Sequence, residues 1–512
     1  ANVHNGSLTY QVSSSDDNYF SGSTFIASEA TLIANVANLD KEGNEILDKT
    51  IGNITGGLSA IFVKNGSGRI QLIGNNNFTG TTTIEDGILA YTSDDGSYVS
   101  GDTVIKKNGI LEYTVDTEDD LTDISGNGTL AKLGKGNLNL VGDNSNFNGS
   151  VSLLDGRLSY NSAGIDNKFI TAGSYSIAQG AELYINNSNS DTVTVSNLNA
   201  YTESGFDFGS GDVIKEGKGT LNLIGDNSGF KGNLAINSGN VTFTKDDNTS
   251  YISGNTNIAS GAVLNYNTDI NDTLENVSGS GILNKGGDKE LTFNVNNNTR
   301  VDSLFTANAN KGTLNIIGAS QESFDFNMIA NNDAILNYTA AIGSKNISIG
   351  TDSVVKFGDS ASGAQIKFNN GNYTLGGDIE NYQDNEISFI NSNLKLSEDT
   401  YKANYTIKDS VIDLINSASE KITFDNLTTT GSTIKIDVDL TLPKPSSDLL
   451  VAEGGNGGAL KLALNEIKLN DKADNGLGSK YEVKVLGGNL TLDNSETLDY
   501  WLSLIHIWRC RR

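Results

Sequence analysis

One unit recurs along this chain and limits what the chain can fold into. Residues 66–91 read GSGRIQLIGNNNFTGTTTIEDGILAY, 134–160 read GKGNLNLVGDNSNFNGSVSLLDGRLSY, and 217–243 read GKGTLNLIGDNSGFKGNLAINSGNVTF. The phases agree at Gly68, Gly136 and Gly219, at Gly74, Gly142 and Gly225, and at Phe78, Phe147 and Phe230. Gly87, Gly156 and Gly239 close the unit before a last short strand. A second module follows each, led by Tyr98, Phe169 and Tyr251, so the whole superunit recurs at about 70 to 80 residues. Within it a finer interval of 22 to 24 residues separates Gly87 from Gly109, Gly156 from Gly180 and Gly239 from Gly261.

Inside each interval, short segments such as Leu138-Asn139-Leu140 alternate apolar and polar residues, which places Leu and Ile on one face and Asn, Thr and Lys on the other. Gly and Asn corners punctuate them. A coil this small cannot bury its own apolar face, so it must stack on its neighbours and share a core. The expected fold class is therefore all-β, a right-handed parallel β-helix (solenoid). Such a fold grows in one dimension, and that accommodates 512 residues without a visible domain linker. The expected organisation is an N-terminal cap or first turns over 1–50, clear repeats over 51–285, degenerate repeats over 286–423, a C-terminal cap over 424–500, and a foreign tail at 501–512.

Composition narrows the function. Asn makes up about one residue in eight, with 57 Gly and 2 Pro. Ile, Val, Thr, Tyr and Phe are spread evenly, which favours strands over disorder. The last dozen residues, WLSLIHIWRCRR, hold both Trp, the only Cys (Cys510), His506 and three Arg, and read as a foreign tail. The net charge is −27. A surface this acidic repels phosphate backbones, so no nucleic-acid partner is expected. An otherwise cysteine-free, acidic, Asn/Gly/Thr-rich chain fits an exported bacterial protein. No run approaches the ~18 apolar residues of a membrane helix. The start, Ala1-Asn2-Val3-His4, lacks the basic and apolar regions of a signal peptide.

The unit G-x-G-x-L-x-L-x-G-x-N, followed by F-x-G and a closing G-x-L, resembles the passenger-associated repeat of bacterial autotransporters, the type V secretion family. The stretch 424–492, with GSTIKIDVDL and SDLL, is similar to the region that closes such passengers. The resemblance spans about residues 50–495. It implies a passenger that crosses the outer membrane unfolded and folds outside, with 424–492 as an autochaperone-like region. It also implies a surface location, anchored by a C-terminal translocator barrel missing from this chain.

Catalytic chemistry finds little support in the residues. In Gly358-Asp359-Ser360 the serine needs a histidine base, and His4 is the only histidine outside the tail. A lyase needs a cationic base beside calcium-holding carboxylates, but Arg69, Arg157 and Arg300 are the only arginines before the tail. Arg69 and Arg157 fall on the polar phase of their repeats and read as solvated. Asp94-Asp95-Gly96, Ile165-Asp166-Asn167 and Asp246-Asp247-Asn248 could hold calcium, though Asx-turns explain the same residues. The acidic run 116–123 reads as a solvated loop. Asn columns are expected to ladder between turns, and Tyr98, Phe169 and Tyr251 each to staple a turn.

No catalytic, cofactor-binding or metal-ligating residue is therefore assigned, no cofactor is expected, and the chain reads as a non-enzyme. The expected function is adhesion or bacterial self-association through many weak contacts with a host-cell or bacterial surface glycan or protein. The alternatives are a carbohydrate-active enzyme on the same scaffold and a passive stalk for a missing N-terminal module.

Overall fold

The computed structural model describes residues 1–13, 22–39, 49–93, 101–163, 168–188, 191–295, 301–318, 326–340, 347–349, 355–376, 379–415, 420–439, 446–468 and 485–493. Among these there is no α-helix, and hence none long and apolar enough to cross a membrane. Short strands pair in parallel with the strand about one coil later, which makes a β-solenoid. The contacts divide into two compact units, Ala1–Asn265 and Tyr266–Arg512. The foreign-tail reading at 501–512 falls outside the described residues.

Alternation produces the core of the first unit. The ladder Leu89, Leu111, Leu130, Val151, Tyr175 and Leu198 runs through six successive turns in one register. Each of these side chains is at most 1% exposed. A second ladder, Leu138, Leu158, Leu183, Val213 and Leu234, is equally buried. The outward residues between them are polar, and several stack as amides, as Asn35 does on Gln11 at 2.8 Å.

In the second unit the ladder Leu291, Leu314, Leu336, Ile366, Ile387, Tyr405 and Leu427 is also parallel and buried. Beside it the rings of Tyr338, Phe368 and Phe389 pack with centroids 6.3 and 5.3 Å apart. The parallel pairing continues from Lys421–Thr430 into Leu449–Lys468. There Asp448, fully buried, accepts the Glu420 amide at 3.1 Å and the Asp437 amide at 2.9 Å. Asn side chains ladder here too, Asn308 on Asn284 at 2.8 Å and Asn337 on Asn315 at 2.7 Å.

Apolar ladders leave the corners unsolved, because backbone groups that turn inward there need partners. In the first unit the repeats supply two. Lys64, Lys132 and Lys215, each two residues before the first repeat glycine, sit on the core phase and are 0% exposed. Lys64 Nζ donates to the Asn65, Gly66 and Asp86 carbonyls at 3.1, 2.6 and 2.8 Å. Lys132 reaches Leu133, Gly134 and Asp155 at 2.7, 2.6 and 3.1 Å, and Lys215 reaches Glu216, Gly217 and Ser238 at 2.6, 2.8 and 3.2 Å. Lys285 of the second unit repeats the pattern with Gly287 and Lys311 at 2.7 and 2.6 Å.

The second device is the repeat asparagine. Asn76, Asn144 and Asn227 accept the amides of Ile54, Ile124 and Leu198 at 2.7, 2.9 and 2.9 Å. Their amide nitrogens donate to carbonyls of their own corner, as Asn144 does to Val141 at 2.9 Å, and Asn227 donates also to Ser250 of the following turn at 3.0 Å. Phe78, Phe147 and Phe230 fill the space beneath, all 0% exposed. The glycine that follows each Phe lets adjacent turns approach; a Cβ on Gly149 would collide with the Gly128 carbonyl.

The register answers why the superunit is not a whole number of turns. Lys64 belongs to the ladder Ala34, Lys64, Ile84, Ile105. Lys132 belongs to Tyr91, Tyr113, Lys132, Leu153, and Lys215 to Tyr160, Ile185, Lys215, Ile236. These are three separate ladders. Each repeat therefore starts one side of the coil further on than the last, and equivalent residues of successive repeats do not stack.

Two expectations need correcting. The acidic run is no loop, since Glu118–Thr122 is a strand paired with Asn137–Val141. Its alternation buries Leu121 and turns Glu118 and Asp120 outward, while Asp119 lies on the inward phase opposite Leu138 and accepts the hydroxyl of buried Tyr113 at 2.7 Å. Nor are the arginines simply solvated. Arg69 pairs with Glu112 at 2.6 Å, each side chain about one-fifth exposed, and Arg157 pairs with Glu182 at 2.6 Å. Arg300 lies outside the described residues.

The corners give two predictions. Burial pushes the ammoniums of Lys64, Lys132, Lys215 and Lys285 down to about 8, against the opposing pull of Asp86, of Asp155 and Asp116, of Glu216, and of Asp288 respectively. The unfolded chain holds these protons up to an ordinary lysine value near 10.5. The folded state therefore binds fewer protons above pH 8, and stability should rise from pH 8 toward 10. Buried Tyr338 and Tyr401 are pushed up to about 12, so the unfolded state loses protons first above pH 10 and stability should fall there. A melting-temperature series from pH 7 to 11 should peak between these limits; a monotonic decline would contradict the lysine burial. Separately, Asn144→Ala strands the buried Ile124 amide and should cost about 1–3 kcal/mol, read by denaturant unfolding.

Candidate functional site

With the apolar residues turned inward, any ligand must meet the outward columns and the segments that leave the coil. In the first unit the outward faces of Asn137–Val141, Arg157–Asn161 and Glu182–Asn186 carry a continuous polar network. Asn139 donates to Glu118 and to Asp120 at 3.0 Å, Asn137 donates to Asn139 at 2.7 Å, and Ser159 donates to Asn137 at 2.5 Å. Arg157 is held between Glu182 and the face of the Tyr184 ring, 4.8 Å from its centroid. Beside them runs an open groove of about 470 Å3, floored by Gly136, Gly156 and Gly180 and walled by Asp116, Lys135, Arg157 and Glu182 among others. Its two cations and two carboxylates balance, in a chain that is otherwise strongly acidic. Such a groove can exchange hydrogen bonds with a polar ligand.

The other feature is a hairpin inserted before Asp212–Glu216. Thr202–Glu203 and Phe206–Asp207 pair antiparallel across Ser204-Gly205, whose φ values are 49° and 82°. Positive φ at both central residues is the type I′ arrangement that suits a two-residue hairpin. The base is tied by the Phe208 amide donating to the Tyr201 carbonyl at 3.0 Å and by ring contact between the same residues at 5.8 Å. Beside the turn Phe206 is 72% exposed, flanked by Glu203 and Asp207, and at the base Phe208 is 49% exposed. Nothing in the solenoid core requires these rings outside. Sequence reasoning missed both the hairpin and the corner lysines. The signals were there in Gly-Phe-Asp-Phe-Gly within an over-long coil, and in a lysine on the apolar phase two residues ahead of each G-x-G.

The residues weighed for catalysis stand apart. Ser360 is exposed in a turn, and Asp359 accepts from Asn381 at 3.3 Å. His4 faces the Phe25 ring at 6.1 Å. Of the candidate calcium turns, 94–96 and 165–167 lie outside the described residues. At the third, Asp246 accepts the Asn248 amide at 2.7 Å while its own amide donates to Thr249 at 2.8 Å, which is an Asx-turn. Among the described residues no group of three or more His, Cys, Asp or Glu could hold a metal. Tyr98 is outside the described residues; Phe169 packs on Tyr160 at 5.1 Å, and Tyr251 on Phe243 at 5.2 Å.

The family model for the passenger-associated-transport-repeat matches residues 62–90. That segment holds Lys64, Asn76, Phe78 and Gly87, the corner residues of the first repeat. The match and the parallel solenoid support an autotransporter passenger, which suggests a secreted or surface-exposed protein. A comparison with curated proteins gives no match.

The pairing of Arg157 with Glu182 is partly exposed, so Arg157→Ala should change stability by no more than about 1 kcal/mol. A larger loss in denaturant unfolding would mean that the pair holds the turns together.

Proposed function

We propose that this chain is a non-catalytic passenger displayed at the bacterial surface, acting in adhesion or self-association through weak contacts at local features that are multiplied over many displayed copies. The observation that carries the reading is the paired hairpin that exposes Phe206 by 72% with Phe208 beside it, where most described aromatics are buried, Phe25 at 43% being another exception. Exposed aromatic side chains on a preorganised element bind at little entropic cost. Weak contacts become strong when many copies engage together. The partner is a host-cell or bacterial surface glycan or protein. The charge of −27 argues against nucleic acid. A translocator barrel would supply the anchor.

Beads coated with the full chain should clump or bind host cells, with and without EDTA. Phe206→Ser with Phe208→Ser should abolish most of that binding while circular dichroism and melting stay unchanged, because the hairpin lies outside the ladders. Inert beads carrying folded protein would turn the reading to a passive stalk. Release of reducing sugar from surface glycans would turn it to an enzyme.

A further inference from the structure

The two corner devices of each repeat face in opposite directions. The lysine takes two carbonyls from its own corner and one from the following turn, namely Asp86 for Lys64, Asp155 for Lys132 and Ser238 for Lys215. That carbonyl always precedes the closing glycine, Gly87, Gly156 or Gly239, each with φ between 65° and 71°. The glycine makes room for the ammonium: a Cβ would lie 2.8 Å from Lys64 Nζ at Gly87 and 2.9 Å from Lys215 Nζ at Gly239. The asparagine oxygen, twelve residues after the lysine, instead accepts an amide of the preceding turn, although in the third repeat the Asn227 amide nitrogen also donates forward to the Ser250 carbonyl at 3.0 Å.

An ammonium buried without its acceptors is far costlier than a neutral group. Until the following turn docks, the lysine lacks one acceptor and its corner lacks a lid. Until the preceding turn is in place, the asparagine oxygen has no donor. We propose that the passenger repeat is a bidirectional clamp, in which the buried lysine couples its turn to the turn that follows and the buried asparagine couples its turn to the turn that precedes. The repeat thereby makes neighbouring turns open and close together. It does this with the residues that face inward, so the outward positions of the same repeat are free to vary. This assignment does not depend on what the surface binds.

Native-state hydrogen exchange on the full chain tests it through direction. Lys215→Met keeps the aliphatic stem and removes the ammonium. It should lower protection in the following strands Leu234–Ile236 and Asn240–Lys245, and leave Glu182–Asn186 protected. Asn144→Ala should do the reverse, exposing Ile124–Gly126 of the preceding turn first. Lys218→Ala, an exposed lysine of the same repeat as Lys215, should change nothing. Opening that is symmetric, or confined to the substituted strand, would overturn the clamp. Should Lys215→Met fail to fold, amine acetylation of the unmodified chain decides. Lys64, Lys132, Lys215 and Lys285 should resist labelling while Lys135 and Lys218 react, and equal labelling would overturn the proposal.

Discussion

A solenoid turn is held by its neighbours or not at all, and the difficulty sits at its corners. Along the flat sides, strand pairing satisfies the backbone and alternation buries the side chains. At a corner the chain bends inward past its neighbours, and carbonyls and amides face a core where no water can reach them. This protein meets that requirement with polar side chains buried on purpose. The lysine supplies three donors to carbonyls, and the asparagine supplies one acceptor and two donors. In the second unit, Ser392, Ser410 and Ser432 form a shorter version. Ser392 N donates to Ser410 Oγ at 3.0 Å and Ser410 N to Ser432 Oγ at 3.2 Å.

The same devices explain the spacing of the repeats. Because a repeat ends one side further round than it began, the strain and polarity of its glycine corners are spread over different sides of the first unit. The outward residues attached to those corners are spread likewise. Arg69 sits one residue past Gly68 and Asn137 one residue past Gly136, yet they belong to different ladders. A receptor that recognises one outward column therefore meets a new sequence at every turn. This favours binding at local features such as the hairpin at 202–207, or the groove over Gly136, Gly156 and Gly180, over binding to a regular stripe.

Much of the fold was legible from the residues. Alternation in Leu138-Asn139-Leu140 predicts which side chains are buried, and the 22 to 24 residue interval predicts the coil. The site was less legible. Arg69 and Arg157 lie on the polar phase, so alternation points them outward, but it carries no information about Glu112 or Glu182 in other turns. The acidic run looked like a loop because composition outweighed its alternation, with Leu121 the one apolar residue at its centre.

By itself the sequence determined the periodicity, the alternation and the glycine phases, since these are local properties of neighbouring residues. From them follow the parallel solenoid and the identity of its core. Only the tertiary structure decided which turn each polar corner residue engages. Lys132 and Asp155 are 23 residues apart, and Asn144 and Ile124 are 20 residues apart in the opposite direction. Nothing local separates a lysine that points to solvent from one that closes a corner. The difference lies in whether a carbonyl of the next turn arrives within hydrogen-bond reach, and stacking alone brings it there.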